Sequence, residues 1–170
     1  MRSVQLRMTV LGRRAEDVYD TLADFPRYPE FSPAVHHVTV TEVGDTVSRS
    51  EWEVAFRAGI LKWVEEDTFD QAALRIDFRQ LEGDMALFEG SWTCSDTAGG
   101  TGITFAATFD MGIPTLAEAL EPIAARALVD NTVAIVSGLF DGAVSLDDTR
   151  LERAAAPCPA SGPHFLNVDR

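Results

Sequence analysis

Apolar and polar residues alternate with two different periods along the chain, and the changes of period divide it into elements. Residues 3–11 alternate with a period of two, which is typical of a strand with one buried face. Residues 13–23 then space their apolar side chains as a helix does, and the two prolines of the segment 25–29 end it. A short second helical turn is predicted at 30–32.

A long middle region returns to a period of two and predicts six further strands. The segments are 35–43, 46–57, 60–70, 73–81, 86–95 and 102–110. The connections between them are short, and glycine and other turn-forming residues occur in them, as antiparallel hairpins require. Parallel strands would need long crossovers. The middle region is therefore predicted to be an antiparallel meander.

The last region is predicted to be a long amphipathic helix that begins at Pro122, because proline suits a first turn, and runs to about Val144. Four acidic residues near it are expected to be exposed: Glu118, Glu121, Asp130 and Asp141. The residues that follow include a run of alanines and prolines, which predicts a single domain over 1–145 and a flexible tail over 146–170.

The element order predicts an α+β fold. A twisted seven-stranded antiparallel sheet would wrap around the long C-terminal helix, with two short helices after strand 1. Sheet and helix would not close completely where the short helices intervene, and the gap would be a pocket.

Composition narrows the possible partners. The chain has 170 residues, 46% of them hydrophobic, enough for one domain with a sizeable core. Its 14 basic and 27 acidic residues leave a net charge of -13, which disfavours nucleic acid and anionic lipid as partners. No apolar run approaches the roughly 18 residues of a membrane span, and the first ten residues lack the apolar core of a secretory signal. A soluble, cytoplasmic protein is expected.

Metal and cofactor chemistry have little support in the sequence. His36 and His37 are neighbours in an extended segment, so their rings point to opposite faces and cannot bind one metal ion. Cys94 and Cys158 are predicted to be free thiols. Neither a phosphate-binding glycine loop nor a nucleophile elbow is present. No metal and no cofactor are therefore expected.

The alternation also assigns faces, and one strand gives an unusual result. Trp52, Val54 and Phe56 share a face of their strand. In the next strand Trp63 shares its face with Glu65 and Asp67. If Trp63 faces inward, two carboxylates enter an apolar cavity, where their pKa values would rise toward the range useful for proton transfer. The alternative is that both carboxylates face water at a frayed edge of the sheet.

Several short motifs are spread along residues 3–144. They are Val18-Tyr19-Asp20, Tyr28-Pro29-Glu30-Phe31, Leu81-Glu82-Gly83, Gly90-Ser91-Trp92, Phe109-Asp110-Met111 and Leu120-Glu121-Pro122. Together with the element order, they resemble the polyketide cyclase/dehydrase family of the START-like, helix-grip (SRPBCC) superfamily, which also includes Coq10-like proteins. The resemblance implies the helix-grip fold and a cavity for a hydrophobic ligand.

The resemblance also implies a chemistry. Aromatase/cyclases of this family close and dehydrate a poly-β-ketone inside the cavity. A strand that reads Trp-x-Trp-x-Ser-x-Arg in such enzymes corresponds here to Leu61, Trp63, Glu65 and Asp67, which makes the two carboxylates the catalytic candidates. The predicted substrate-contacting residues are Tyr28, Phe31, Trp52, Phe56, Trp63, Phe78, Phe88, Trp92, Phe105 and Asn131.

The predicted function is a polyketide cyclase, aromatase or dehydratase of secondary metabolism, acting as a monomer or homodimer. The substrate is either free or presented by an acyl carrier protein, for which Arg13, Arg14 and Arg27 are the local basic candidates. Two alternatives are a non-enzymatic Coq10-like carrier of a quinone or lipid, and an interaction protein, since relatives of this shape also contact ribosomes.

Overall fold

The structure, a computed structural model, describes residues 1–154. Its strands are β1 (Arg2–Leu11), β2 (Val35–Val43), β3 (Val47–Phe56), β4 (Gly59–Asp70), β5 (Arg75–Gly83), β6 (Leu87–Thr97), β7 (Gly100–Asp110) and β8 (Val144–Arg153). Its helices are α1 (Ala15–Leu22), a 3₁₀ helix over Phe25–Glu30, and α2 (Ala117–Leu139).

All eight strands form one antiparallel sheet in the order β2-β3-β4-β5-β6-β7-β1-β8. Strands β2 to β7 follow one another in chain order, which confirms the predicted meander. The predicted α+β helix-grip class is also confirmed. The sheet has one more strand than predicted.

The core lies on the face of the sheet that α2 covers. Alternate residues of β1, such as Val4 and Leu6, are fully buried, and so are alternate residues of β7 from Thr101 to Phe109. Val129 and Val136 of α2 are buried with them. Each fully buried aliphatic side chain stabilises the fold by about 1.5–3 kcal/mol relative to exposure, so this face is the main source of stability.

Strand β8 corrects the prediction of a flexible tail over 146–170. Residues 144–153 pair along β1, whereas residues 155–170 of the predicted tail lie outside the described part of the chain. The strand is mostly exposed, and Leu146 and Leu151 remain in contact with solvent. It is held by backbone hydrogen bonds at the sheet edge, so hydrophobic alternation gave little signal for it.

The predicted bounds of α2 are wrong at both ends. The helix begins five residues before Pro122, which lies inside it. Proline removes the one hydrogen bond that its N–H would donate to Glu118, and the rest of the helix continues. The helix ends at Leu139, because Asp141 and Gly142 have positive φ angles of 56° and 78° that turn the chain toward β8.

The second short helix lies earlier than predicted. It spans Phe25–Glu30 rather than 30–32, and it contains both prolines that were expected only to break a helix. One proline lies at the start of the 3₁₀ helix, where the missing N–H costs no internal hydrogen bond.

Glu121 is buried, contrary to the expectation that it is exposed. Its side chain is 3% exposed, and Oε1 lies 2.9 Å from the amino group of Met1. Arg2 Nε lies 3.9 Å from Oε2. This carboxylate joins the first turns of α2 to the start of β1.

Candidate functional site

A cavity with two compartments lies between the inner face of the sheet and α2. The first compartment measures about 100 Å³ and is bounded mostly by aromatic rings of the sheet and by α2. The second measures about 80 Å³ and lies toward the β3–β4 turn. Residues that line both compartments form the wall between them: Val54, Trp63, Phe88, Leu128 and Asn131.

Most of the side chains predicted to contact substrate line this cavity. Those in the first compartment are Tyr28, Trp52, Trp63, Phe78, Phe88, Trp92, Phe105 and Asn131. Phe56 lines the second compartment. The period-two alternation therefore assigned the inward faces correctly, while the role of these residues as ligand contacts stays a prediction.

Two predicted site residues lie elsewhere. Phe31 lines neither compartment, because its ring lies against Gly138 of α2, where an added Cβ would be only 2.2 Å from Phe31 Cδ1. The guanidinium carbon of Arg27 lies 5.5 Å from the centre of the same ring. Asp67 is buried but does not line either compartment, so only Glu65 of the carboxylate pair reaches the cavity wall.

Sequence reasoning missed several lining residues. They include Phe25, Val35, Thr132 and Ile135 in the first compartment and Met85, Phe109 and Met111 in the second. The signal for Thr132 was its place beside Asn131 on α2. The other side chains are apolar, and their periodicity shows burial without distinguishing a cavity wall from solid core.

Trp63 is at the centre of the aromatic lining. It lies opposite Trp52 in the β3–β4 ladder, and the two indoles stack at a centroid distance of 5.8 Å and an interplanar angle of 2°. The edge of one ring faces the other in the Trp63–Phe88 pair, 5.4 Å apart. Each such pair contributes about 0.5–1.5 kcal/mol beyond burial, so these rings form a stiff wall.

The backbone of β5 comes very close to the backbone and Cβ of Trp63. Gly83 on β5 lies opposite Trp63, and a Cβ there would be 2.5 Å from Trp63 Cβ. The ladder also shifts register between Val64 and Glu65, as a β-bulge does. The extra residue of this bulge is Leu81 on β5, so the alternation of β4 that turns Glu65 inward is undisturbed.

The two carboxylates face inward, and the alternative in which they face water is wrong. Glu65 is 3% exposed and Asp67 is 1% exposed. Glu65 lies opposite Ser50 in the ladder, and Ser50 is fully buried. The strict alternation of an antiparallel pair therefore brings Trp63, Glu65 and Asp67 to one face of β4 together with Ser50 of β3.

Hydrogen bonds from two indoles and a hydroxyl surround the carboxylates. Trp63 Nε1 donates to Glu65 Oε2 over 2.7 Å. Trp52 Nε1 donates to Ser50 Oγ over 2.8 Å, and Ser50 Oγ in turn donates to Asp67 Oδ2 over 2.6 Å. Asp67 Oδ1 is buried and receives no hydrogen bond from any donor group of the described residues.

Burial changes the acidity of the pair. Desolvation is the largest cause that raises the pKa of Glu65 well above its usual value, and the charge of nearby Asp67 raises it further, while the hydrogen bond from Trp63 opposes the shift. Desolvation also raises the pKa of Asp67, and contacts with Glu65 and Ser50 oppose it. Glu65 is therefore the member that keeps a proton more readily.

Two other titratable groups, Tyr28 and Cys94, are buried in the core, and both are neutral. The pKa of the Tyr28 phenol is raised well above its ordinary value, first by burial, and its hydroxyl donates to the carbonyl oxygen of Leu22 over 2.6 Å. Burial raises the pKa of the Cys94 thiol to about 12. The Tyr28 hydroxyl is thus used in a structural hydrogen bond, which leaves Glu65 as the lining group suited to move a proton.

Asn131 is the polar lining residue of α2 that lies in both compartments. Ser32 Oγ donates to Asn131 Oδ1 over 3.2 Å, which ties α2 to the segment after the 3₁₀ helix. Because an amide oxygen that is already bonded leaves the NH₂ group as a donor, Asn131 is suited to bind an acceptor oxygen of a ligand.

The described residues contain no group of three or more histidine, cysteine, aspartate or glutamate side chains able to hold a metal ion. Over the same residues, no helix combines the length and hydropathy needed to cross a membrane.

The arginines expected to attract an acidic carrier all lie beside acids. Arg13 is 3.1 Å from Asp141. Arg14 is 3.2 Å from Glu16. The third such residue, Arg27, is 3.5 Å from Glu30. These ion pairs reduce the positive potential that an acidic partner would meet.

Several solved structures share this fold. A protein of Thermus thermophilus is 22% identical with a TM-score of 0.74, covering 83% of this chain and 96% of that one. The Zhui aromatase/cyclase of a Streptomyces species is 21% identical with a TM-score of 0.65, covering 84% and 94%. A START superfamily protein of Mycobacterium smegmatis is 14% identical with a TM-score of 0.70, covering 83% and 98%.

At these identities the structures establish the fold alone. No curated protein matches the chain. A family model described as polyketide cyclase/dehydrase and lipid transport matches residues 11–135, which include the strands that carry the cavity and most of α2. The chain therefore belongs to the polyketide cyclase/dehydrase and lipid transport family, within the START-like helix-grip superfamily.

Proposed function

We propose that this protein is a polyketide cyclase or dehydratase that acts on a neutral, hydrophobic poly-ketone in its internal cavity. One observation carries the proposal: the carboxyl group of Glu65 lies on the wall of an aromatic cavity, 3% exposed, with a second buried carboxyl behind it. A carrier for an apolar ligand has no need of that pair, whose burial costs stability.

The chemistry follows from the acidity of the substrate. A C–H bond between two carbonyl groups is far more acidic than an ordinary C–H bond, so a desolvated carboxyl on the cavity wall is a suitable base for it. The same group, once protonated, can give its proton to an oxygen that leaves as water. The rings of Trp63, Phe88 and Phe105 would hold the chain bent, which supplies proximity rather than bond chemistry.

The size of the cavity limits the substrate. Compartments of about 100 and 80 Å³ are smaller than the roughly 300–1,000 Å³ of ordinary small-molecule sites. A compact substrate therefore fits only when the wall between the compartments moves. Leu128, a partly buried aliphatic residue of α2, is the wall residue whose movement would join the two compartments.

The ion pairs at Arg13, Arg14 and Arg27 favour a free substrate over one presented by an acidic carrier protein. The second candidate function is a Coq10-like carrier of a quinone or lipid. It is favoured by the lining of the first compartment, which is almost entirely apolar.

The two functions are separated by offering the protein a short poly-β-ketone thioester and following product mass. All three tryptophans line the first compartment, so their fluorescence reports binding independently. We expect a cyclised product that has lost water. The double variant Glu65→Gln/Asp67→Asn should still quench tryptophan fluorescence on binding and form product at least about 10²-fold more slowly.

Release of unaltered thioester by the wild-type protein would contradict the proposal. So would an unchanged rate in the double variant. Native mass spectrometry of the purified protein adds an independent test, because a copurified quinone or lipid would favour the carrier.

A further inference from the structure

An indole N–H limits how the hydrogen bonds around Asp67 can be arranged. An indole N–H can donate and cannot accept, so the contact of 2.8 Å between Trp52 Nε1 and Ser50 Oγ uses a lone pair of the hydroxyl. The hydroxyl hydrogen of Ser50 is then free to point at Asp67 Oδ2, 2.6 Å away. This arrangement suits an Asp67 Oδ2 that accepts the Ser50 hydrogen and carries no proton.

A second indole fixes one oxygen of Glu65 in the same way. Trp63 Nε1 lies 2.7 Å from Glu65 Oε2, which makes Oε2 an acceptor. A proton on Glu65 is therefore better placed on Oε1, which leaves Oε2 free to accept from the indole.

The remaining oxygen of Asp67 lacks a donor. Asp67 Oδ1 is buried without a hydrogen-bond partner among the described residues. An unsatisfied buried acceptor destabilises the fold, and more so when it is charged. Glu65 lies two residues from Asp67 on the same inward face of β4 and opposite Ser50, which contacts Asp67, so a proton on Glu65 Oε1 is placed to supply the missing donor.

Among the described residues, no ion pair would neutralise the two negative charges that Glu65 and Asp67 would carry if both were ionised. Glu65 and Asp67 are absent from the ion pairs of the described residues. Tyr28 of the 3₁₀ helix lies near the pair on the inner side, and Glu66 on the outer face of β4 adds a further negative charge. Neither of these is a cation, and α2 contributes the uncharged Asn131 and Thr132.

We infer that the pair carries a single proton, held on Glu65 Oε1 and shared with Asp67 Oδ1, so that Glu65 is the group that touches the ligand and Asp67 is a positioning residue that stores the proton. This inference rests on the proposed function for its role in a reaction. The pair has one net negative charge, so the cavity selects neutral ketones and esters and excludes carboxylates.

The shared proton gives a balanced relay. Glu65 takes the proton of a C–H bond between two carbonyls as its own Oε1 proton moves to Asp67 Oδ1, and the electron pair of the C–H bond forms an enolate. The enolate carbon then bonds to a second carbonyl carbon, whose oxygen takes a proton from Glu65. Glu65 recovers its proton from Asp67, so the pair returns to its initial state.

Infrared difference spectroscopy tests the position of the proton without any ligand. A protonated carboxyl group has a carbonyl stretch distinct from that of a carboxylate. We expect this band in the wild-type protein at neutral pH. It should be lost in Glu65→Gln and retained in Asp67→Asn, because burial is the largest cause of the raised pKa of Glu65. The control Glu66→Gln should keep the band unchanged.

Absence of the band in the wild-type protein, its loss in Asp67→Asn or its survival in Glu65→Gln would each overturn the inference. The result is independent of turnover. A protein that shows the expected bands and forms no product would reject the proposed function and leave the proton assignment standing.

Discussion

Neighbouring glutamates on the two faces of β4 have opposite environments. Glu66 on the outer face is partly exposed and lies 3.0 Å from Arg79. Glu65 on the inner face is buried, and its hydrogen-bond donor is the indole of Trp63. The same side chain one residue apart is thus ion-paired at the surface on one face and a desolvated acid with a raised pKa on the other.

The two faces also differ in the kind of space they enclose. The outer face has a groove of about 540 Å³, larger than either inner compartment. Its charged residues are exposed and largely paired, as Arg75 is with Asp77 and Arg150 is with Asp148. Volume alone would select the outer groove. Buried polar groups with incomplete partners select the inner cavity, and that is the better guide to chemistry.

Phe88 and Glu89 provide the largest expected contrast between the faces. Phe88→Ala removes a buried ring from the wall between the compartments and should lower the free energy of unfolding by about 3–5 kcal/mol. Glu89→Ala, one residue away on the exposed side, should change it by no more than about 0.5 kcal/mol. Urea denaturation measures both. Equal effects would show that the cavity wall does not contribute to stability as the structure indicates.

The pH dependence of stability should differ between the two glutamates. In the unfolded chain Glu65 titrates near its ordinary pKa of about 4.3, whereas burial raises its pKa in the folded protein. Between these two values the folded protein holds a proton that the unfolded chain has released. The contribution of Glu65 to the free energy of unfolding is therefore fully present below a pH of about 4.3. It is lost as pH rises through the folded pKa, by at most about 1.4 kcal/mol per pH unit.

Denaturation at a series of pH values, comparing wild type with Glu65→Gln and Glu66→Gln, checks this sign. Glu65→Gln should flatten the decline above a pH of about 4.3, because an amide does not titrate, and Glu66→Gln should retain it. A wild-type stability that increases with pH through this window, relative to Glu65→Gln, would contradict the raised pKa.

The smallest effect is expected for the outer ion pair. Arg79→Ala removes the contact with Glu66. Because the arginine is mostly exposed, the free energy of unfolding should fall by no more than about 1 kcal/mol, and by less at high salt. A loss well above that value, insensitive to salt, would remove the distinction drawn between the faces.

The sequence was sufficient for the parts of the site that depend on alternation. Trp63, Glu65 and Asp67 share a face because the side-chain period of a strand is two, and the bulge at Glu65 does not disturb this relation. The resemblance supported their inward orientation. Fold class followed from the order of elements.

Other features could not be predicted from the alternation of apolar and polar residues. Strand β8 is an exposed edge strand held by backbone hydrogen bonds, so its side chains do not alternate strongly enough to predict it. Ser50 is a small polar residue in a strand, and only the ladder that places it opposite Glu65 shows its role. The position of Phe31 against Gly138 depends on how α2 packs, which no local pattern contains.

The most direct test of the account compares product formation by Glu65→Gln and Glu66→Gln with that of the wild-type protein. The substitutions are chemically identical and one residue apart, so they differ in the face of β4 on which the glutamate lies. The account predicts that Glu65→Gln lowers the rate constant of the chemical step at least about 10²-fold while ligand binding persists, and that Glu66→Gln stays within about twofold of wild type. Equal rates for the two variants would contradict the assignment of the chemistry to the inner face.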